Sequence, residues 1–348
     1  MPVPLFAATL LLSPLLSWAR LPSVPDAEGF AGVYAGTSGG ALVLAGGANF
    51  PAGRPWEGGK KVWYDRVFVL PPGAEAWREV GTLPAPIGYG ASVSHGDAMV
   101  CIGGSDTDTH HAAVFAIKWD GQKIQITTLP PLPEPRALHC AAVIGDRVFI
   151  TGGTTSPTAV EASRSMLSLD LSDPSAGWRR LPPSPGAGRI LATAGVARGA
   201  FHLFGGADLV RGASGQPERI WLRDAYRYDP ESGWSRLPDL PRPAVAAASP
   251  APDLGGGLLA ILGGDDGSLL GHDAVSHPGF RRDVLGFDPV VGRWVACGSM
   301  PFALVTTVSV PWEGGFVIPG GEARPGVRSP AVWRGMVTPE HHEFAPAR

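Results

Sequence analysis

Six times along the chain an apolar run ends in a glycine pair: LVLAGG at Gly47, MVCIGG at Gly104, VFITGG at Gly153, FHLFGG at Gly206, LAILGG at Gly264 and FVIPGG at Gly321. The pairs recur at intervals of 49 to 58 residues. A period of this size marks a repeated supersecondary unit that cannot bury its own apolar face, so neighbouring units must cover one another. The 48 glycines and 36 prolines of the 348-residue chain would mean low complexity without a period; with one they mean many short strands and many turns. Charged residues are 17% and apolar residues 44%, which suits a packed core rather than a disordered chain. The net charge is −3 and no Lys/Arg run occurs, which speaks against nucleic acid and anionic membrane surfaces as partners.

A second signal follows each pair: a strand-like run carrying a tryptophan, then Leu-Pro or a relative of it. Trp77 precedes Leu83-Pro84, Trp178 precedes Leu181-Pro182, Trp234 precedes Leu237-Pro238, and Trp294 precedes Met300-Pro301. Ile126 stands in the tryptophan position before Leu129-Pro130. The sixth unit runs out at the C-terminus, and its missing strand is present at the other end of the chain, at Trp18 and Leu21-Pro22. Each unit therefore reads as four antiparallel strands, and the chain as one all-β, six-bladed propeller over residues 18–348, with the Trp18 strand completing the last blade. Closing the ring removes the sheet edges that would otherwise recruit other chains.

Three insertions, 48–62, 207–222 and 265–280, each follow a glycine pair, and so does the stretch 322–330. In an up-and-down blade these loops share one face, where a funnel at the propeller axis is the expected pocket. Counting back 16 residues from the first glycine of a pair reaches Ile87, Arg136, Arg189 and Leu304. Arg136 and Arg189 are thus expected at equivalent places near the channel mouth, either as guanidinium forks for a carboxylate or sugar hydroxyls or as loop-bracing ion pairs.

Only the last pair leads into GGEARPGVRSPAV, with Glu322 and Arg328 six residues apart and Pro325-Gly326 turning the chain between them. A carboxylate at a loop-covered axis can serve as general acid and base. A neighbouring Arg would keep it ionised or hold a substrate anion; on residue types alone the pair reads as an ordinary surface salt bridge. This stretch resembles the signature loop of the N-acetylneuraminate mutarotase (epimerase) family, the cyclically permuted mutarotases, which are six-bladed Kelch propellers. A second stretch, Ala45-Gly46-Gly47-Ala48-Asn49-Phe50-Pro51 followed by Gly59-Lys60-Lys61, is similar to another segment of that family. The resemblance implies a Kelch-type propeller that interconverts the anomers of an acidic sugar. It places Glu322 and Arg328 in catalysis, Asn49 and Lys61 at the substrate, and no cofactor or metal. A non-catalytic propeller that binds a glycan or a protein is the alternative.

Other chemistries find little support. The adjacent pairs His110-His111 and His341-His342 cannot both face one ligand point and read as surface residues, and no Tyr/His/Cys set suggests copper. Glycine clusters without a following helix and Lys-Ser/Thr give no phosphate loop. Cys101, Cys140 and Cys297 show no CxxC spacing and make no disulfide framework; Cys101 and Cys140, in apolar strand-like runs, are expected as free, buried thiols. Pro4 to Leu16 is apolar but too short to span a membrane. Residues 1–17 are read as a signal peptide or an N-terminal extension, the first implying a periplasmic or secreted protein and the second a cytoplasmic one.

Overall fold

The computed structural model describes residues 15–338. Both the proposed signal segment up to residue 14 and the His341-His342 pair lie outside these residues. The chain folds into a closed ring of six antiparallel blades. Blade 1 comprises Tyr34–Ser38, Ala41–Ala45, Arg66–Leu70 and Arg78–Thr82; blade 2 comprises Ala91–His95, Ala98–Ile102, Val114–Trp119 and Ile124–Leu129. Blade 3 comprises Ala137–Ile144, Arg147–Thr154, Met166–Asp170 and Arg179–Leu181, and blade 4 comprises Thr193–Ala197, Ala200–Phe204, Ala225–Asp229 and Gly233–Leu237. Blade 5 keeps three strands, Leu259–Gly264, Arg281–Asp288 and Arg293–Ser299. Its innermost strand shrinks to one bridge, Asp253 to Leu259, because Pro250 and Pro252 remove ladder donors there.

Blade 6 comprises Val310–Trp312, Gly315–Arg324 and Val327–Val337, and Leu16–Leu21 completes it, with Leu16 opposite Val337 and Leu21 opposite Val332. The closing strand starts at Leu16, which is buried between blades 5 and 6. The propeller therefore begins two residues before the boundary at Trp18 drawn from the sequence. Trp18 meets Phe302 and Phe316 edge-on, at 5.1 and 5.5 Å between ring centroids.

The repeat signals have physical causes. The second glycine of a pair donates its N–H to a carbonyl of the next blade: Gly47 to Ile87 at 2.9 Å, Gly104 to Arg136 at 2.7 Å, Gly153 to Arg189 at 2.8 Å and Gly321 to Phe30 at 2.9 Å. The first glycine lies so close that a Cβ on Gly46 or Gly103 would sit 2.3 Å from the same carbonyl oxygen, and both have a left-handed φ, +64° and +58°. Only glycine meets both conditions. The tryptophans join blades at the outer rim. Trp77 donates its indole N–H to Pro22 O at 2.8 Å, Trp178 to Pro130 O at 2.9 Å, Trp234 to Pro182 O at 2.9 Å and Trp294 to Pro238 O at 3.0 Å. Each bond thus ends on the Leu-Pro of the preceding blade, whereas the Trp18 indole N–H has no partner among the described residues.

A second closure runs round the axis. Gly32 donates its backbone N–H to Thr306 O, Thr306 to Ala246 O, Ala246 to Leu191 O, Leu191 to Leu138 O, Leu138 to Tyr89 O and Tyr89 back to Gly32 O, all at 2.7 to 2.9 Å. One residue from each blade thus forms a closed hydrogen-bonded ring. All six sit at left-handed φ, between 54° and 66°.

Candidate active site in the axial funnel

The ring is the floor of a funnel. Directly before each ring residue, the chain bridges to the residue that follows the glycine pair of its own blade. Ala31 meets Ala48, Gly88 meets Ser105, Ala137 meets Thr154, Ile190 meets Ala207, Val245 meets Asp265 and Val305 meets Glu322. These six post-doublet positions are equivalent by backbone geometry. Four of them, Ser105, Thr154, Asp265 and Glu322, line a cavity of ≈ 700 Å³ above the ring. The insertions complete its walls with Phe50, Pro55 and Lys61 from blade 1, Leu209, Pro217 and Arg219 from blade 4, and Phe280 from blade 5. The three long loops and the 322–330 stretch therefore do share one face.

The stretch around Glu322 is a continuation of the blade rather than a free loop. Gly315–Arg324 and Val327–Val337 form a hairpin through Pro325-Gly326, with Glu322 directly opposite Arg328. Facing residues on one side of such a ladder have touching side chains. Arg328 Nη1 lies 2.6 Å from Glu322 Oε1, and the same oxygen accepts the Gly326 N–H at 2.7 Å. Oε2 has no hydrogen-bond partner among the described residues. Arg328 is 93% buried; its Nη2 donates to the Tyr89 hydroxyl at 3.3 Å and its guanidinium lies 5.0 Å from the centre of the Phe50 ring. Burial alone would lower the Arg328 pKa, but the charges of Glu322 and Tyr89 outweigh it and hold the group above its ordinary value. The result is a fixed cation beside a carboxylate with one uncommitted oxygen, both residues lining the cavity.

Lys61 reaches the same wall. Its Nζ lies 5.0 Å from the Tyr89 ring centre, 5.4 Å from Trp63 and 5.9 Å from Phe50, and it makes no ion pair among the described residues. Cation–π contacts hold such an ammonium without neutralising it.

Arg136 and Arg189 do not reach the funnel. Both are fully buried. Arg136 donates to Gly152 O at 3.0 Å and to Glu134 at 2.5 Å; Arg189 donates to Gly205 O at 3.0 Å and grips Asp224 with two bonds, at 3.0 and 2.8 Å. Each guanidinium braces the glycine pair of its own blade. The count of 16 residues placed them correctly as equivalents, but side chains alternate along a strand, and this position points into the blade. Asn49 is also fully buried, donating to Asp26 and Gly29 O and accepting from the Tyr64 hydroxyl. It anchors the 48–62 insertion and does not line the cavity.

His110 corrects a further expectation. It is buried, lines the cavity, and its Nε2 lies 3.0 Å from Thr154 Oγ1, with burial holding its pKa below the usual histidine value. His111 instead contacts Asp106 at 2.8 Å. Tyr89, Asp265 and Arg219 are cavity residues that the sequence reading did not single out. For Asp265 a signal exists, since it follows its glycine pair as Glu322 does. Among the described residues no group of three His, Cys, Asp or Glu side chains could hold a metal ion, and no helix is long and apolar enough to cross a membrane. The three cysteines are free and buried.

Fold and site together define a six-bladed β-propeller with an ion-paired carboxylate at the wall of an axial funnel. Residues 11–126 match the family model of N-acetylneuraminate epimerase. The chain is 39% identical over 127 residues to the N-acetylneuraminate epimerase of Haemophilus influenzae strain PittEE, covering 32% of this chain and 33% of that protein. It is 28% identical over 235 residues to that of strain 86-028NP, covering 61% and 60%. It is 29% identical over 201 residues to that of Yersinia enterocolitica, covering 50% of each. These matches thus span a third to three fifths of the relatives' length. The solved structure of YjhT superposes with a TM-score of 0.64 at 16% identity, covering 89% of this chain and 95% of that one, which bears on the fold alone. The resemblance to the N-acetylneuraminate epimerase family read from the sequence is thereby shown. Those relatives carry the name of an isomerase. The family model covers Lys61, Tyr89 and His110 but stops short of Glu322 and Arg328.

Proposed function

We propose that this protein is a sugar mutarotase that interconverts the anomers of an acidic sugar, with N-acetylneuraminate the first substrate to test. The observation that carries the reading is the Glu322–Arg328 pair, with Glu322 Oε2 uncommitted at the wall of a cavity large enough for a sugar. In this reading Oε2 takes the proton of the anomeric hydroxyl while the bond from the anomeric carbon to the ring oxygen breaks. The ring oxygen gains a proton, and reclosure on the other face of the carbonyl gives the second anomer. Arg328 and Lys61 place two cationic groups on this wall, which suits a substrate carboxylate. Apolar Phe50, Trp63 and Phe280 offer faces for the sugar ring. A periplasmic or secreted location rests only on the apolar run at the N-terminus.

The test follows anomer exchange of N-acetylneuraminate by NMR with wild type and Glu322→Gln, with neutral aldoses as comparison. Wild type should accelerate exchange, and the variant should lose about 10²–10⁴-fold, the usual weight of a general acid–base group. No acceleration of any sugar by wild type would refute the enzyme reading and leave the glycan- or protein-binding propeller. That second reading has one observation in its favour: Trp56, Ile220, Leu270 and Val275 stand exposed on the three funnel-face insertions.

A further inference from the structure

Opening a sugar ring moves two protons: one leaves the anomeric hydroxyl and one arrives at the ring oxygen. Glu322 can serve only one of these positions directly, because Oε1 is held by Arg328 and the Gly326 N–H. A second proton-handling group is therefore required, and we propose that Asp265 is that group. The inference rests on the mutarotase reading above.

Asp265 occupies in blade 5 the place that Glu322 occupies in blade 6. Each directly follows its glycine pair and exchanges two backbone hydrogen bonds with a valine: Asp265 with Val245 at 2.8 and 2.9 Å, Glu322 with Val305 at 2.8 and 3.0 Å. The two blades are neighbours, and the residues after those valines are joined by the ring bond from Thr306 N to Ala246 O at 2.8 Å. Two carboxyl side chains are thus held at one level on adjacent walls of one cavity. Asp265 is also matched in its oxygens. Oδ1 accepts the Gly267 N–H at 2.9 Å, while Oδ2 has no hydrogen-bond partner and Asp265 no ion pair among the described residues. Each carboxyl group therefore has one oxygen tied to its own loop and one available to a ligand.

Of the other proton carriers at the cavity, Lys61 is the cation assigned above to the substrate carboxylate, and two more are already engaged. The Tyr89 hydroxyl accepts from Arg328, and His110 has its Nε2 on Thr154 and its Nδ1 buried. In the reaction Glu322 carries one proton away and Asp265 delivers the other. Glu322 Oε2 accepts the proton of the anomeric hydroxyl and the carbonyl forms; the electron pair of the breaking bond stays on the ring oxygen, which takes the proton from Asp265 Oδ2. Reclosure runs the same transfers backwards and restores both groups, so no co-reactant is consumed.

The test compares wild type, Asp265→Asn, Asp265→Ser and Asp265→Glu in the anomer-exchange assay. Asn and Ser both keep an acceptor for the Gly267 N–H, so the turn survives, and circular dichroism confirms folding. The expected result is a fall in kcat of about 10²-fold for Asn and Ser with KM within about threefold, and partial recovery with Glu, which restores a transferable proton. A kcat within about threefold of wild type in Asp265→Asn, or a loss confined to KM, overturns the assignment while leaving the mutarotase reading intact. Failure of wild type itself to accelerate exchange overturns both.

Discussion

The Glu322–Arg328 pair makes a quantitative demand on stability as well as on chemistry. Arg328 is 93% buried, and among the described residues its charged contact is Glu322 at 2.6 Å, whose side chain is 20% exposed. Removing one partner of a buried pair strands the other and typically costs about 3–5 kcal/mol. The partial exposure of Glu322 and the Phe50 face that still supports the guanidinium reduce this, so Glu322→Gln should cost about 2–3 kcal/mol. Gln keeps an oxygen for the Gly326 N–H, and the loss is therefore of charge rather than of turn geometry. Arg328→Met strands a partly solvated carboxylate instead and should cost about 1–2 kcal/mol. In the double variant no charge is left unpaired and Met can lie on Phe50, so it should be no less stable than Glu322→Gln, with a coupling energy of about 2 kcal/mol. Guanidinium titration of the four proteins measures this cycle, provided the slopes agree. Additive single effects, with coupling below about 0.5 kcal/mol, would refute the premise that the pair is a buried, mutually dependent unit. The same four proteins separate chemistry from structure: both variants lacking Glu322 should be inactive, however stable the double variant proves.

Two further outcomes test the frame. Trp77→Phe loses the bond to Pro22 O, whereas Trp18→Phe loses none because its indole N–H has no partner among the described residues; beyond the similar loss of ring area, Trp77→Phe should cost about 1 kcal/mol more by guanidinium titration, and equal losses would refute the latch. His139 is buried with both ring nitrogens unpartnered, and burial lowers its pKa from 6.5 to about 3. Above pH 6.5 it is neutral in both states and costs nothing; as the pH falls below 6.5 the unfolded chain takes up a proton that the folded chain refuses until about pH 3. Stability should therefore fall by about 2–3 kcal/mol between pH 7 and pH 4.5 from this group, and His139→Leu should flatten that slope; an unchanged slope would refute it.

How far the sequence could be read depended on whether a position's constraint falls on its side chain. Glycine pairs were legible because a Cβ at Gly46 or Gly103 would strike a neighbouring carbonyl, so no other residue is tolerated. The tryptophans were legible because an indole both fills the rim and reaches a proline carbonyl. The axial ring was not legible. Its left-handed turns are imposed by backbone hydrogen bonds, and Tyr89, Leu138, Leu191, Ala246 and Thr306 carry no residue type that advertises such a φ. Arg136 and Arg189 failed for a different reason: counting from the glycine pair gives the level along the blade, but a shift of one residue decides between axis and interior. Glu322 was singled out by the family resemblance of its loop; its place directly after a glycine pair is a separate signal, which applied to every pair reaches Asp265.

The six post-doublet positions show how this fold separates geometry from chemistry. Their backbones are fixed twice, by the bridge within each blade and by the ring bond between blades, so the direction in which each side chain leaves is set before its identity is chosen. Ala48 and Ala207 are fully buried and leave two places silent; Ser105 and Thr154 supply hydroxyls; Asp265 and Glu322 supply acids on adjacent walls. Holding five non-glycine residues at left-handed φ costs about 1 kcal/mol each, and the ring persists only because all six hydrogen bonds close together. The six closed bonds hold the floor in place against that strain. A carboxyl group mounted beside such a floor needs no loop closure to be placed, which suits a reaction in which only protons move and the barrier is lowered by position. By the same logic, substitutions at Ser105 or Thr154 should retune which sugar fits, while substitutions at Asp265 or Glu322 should lower kcat by about 10²-fold or more.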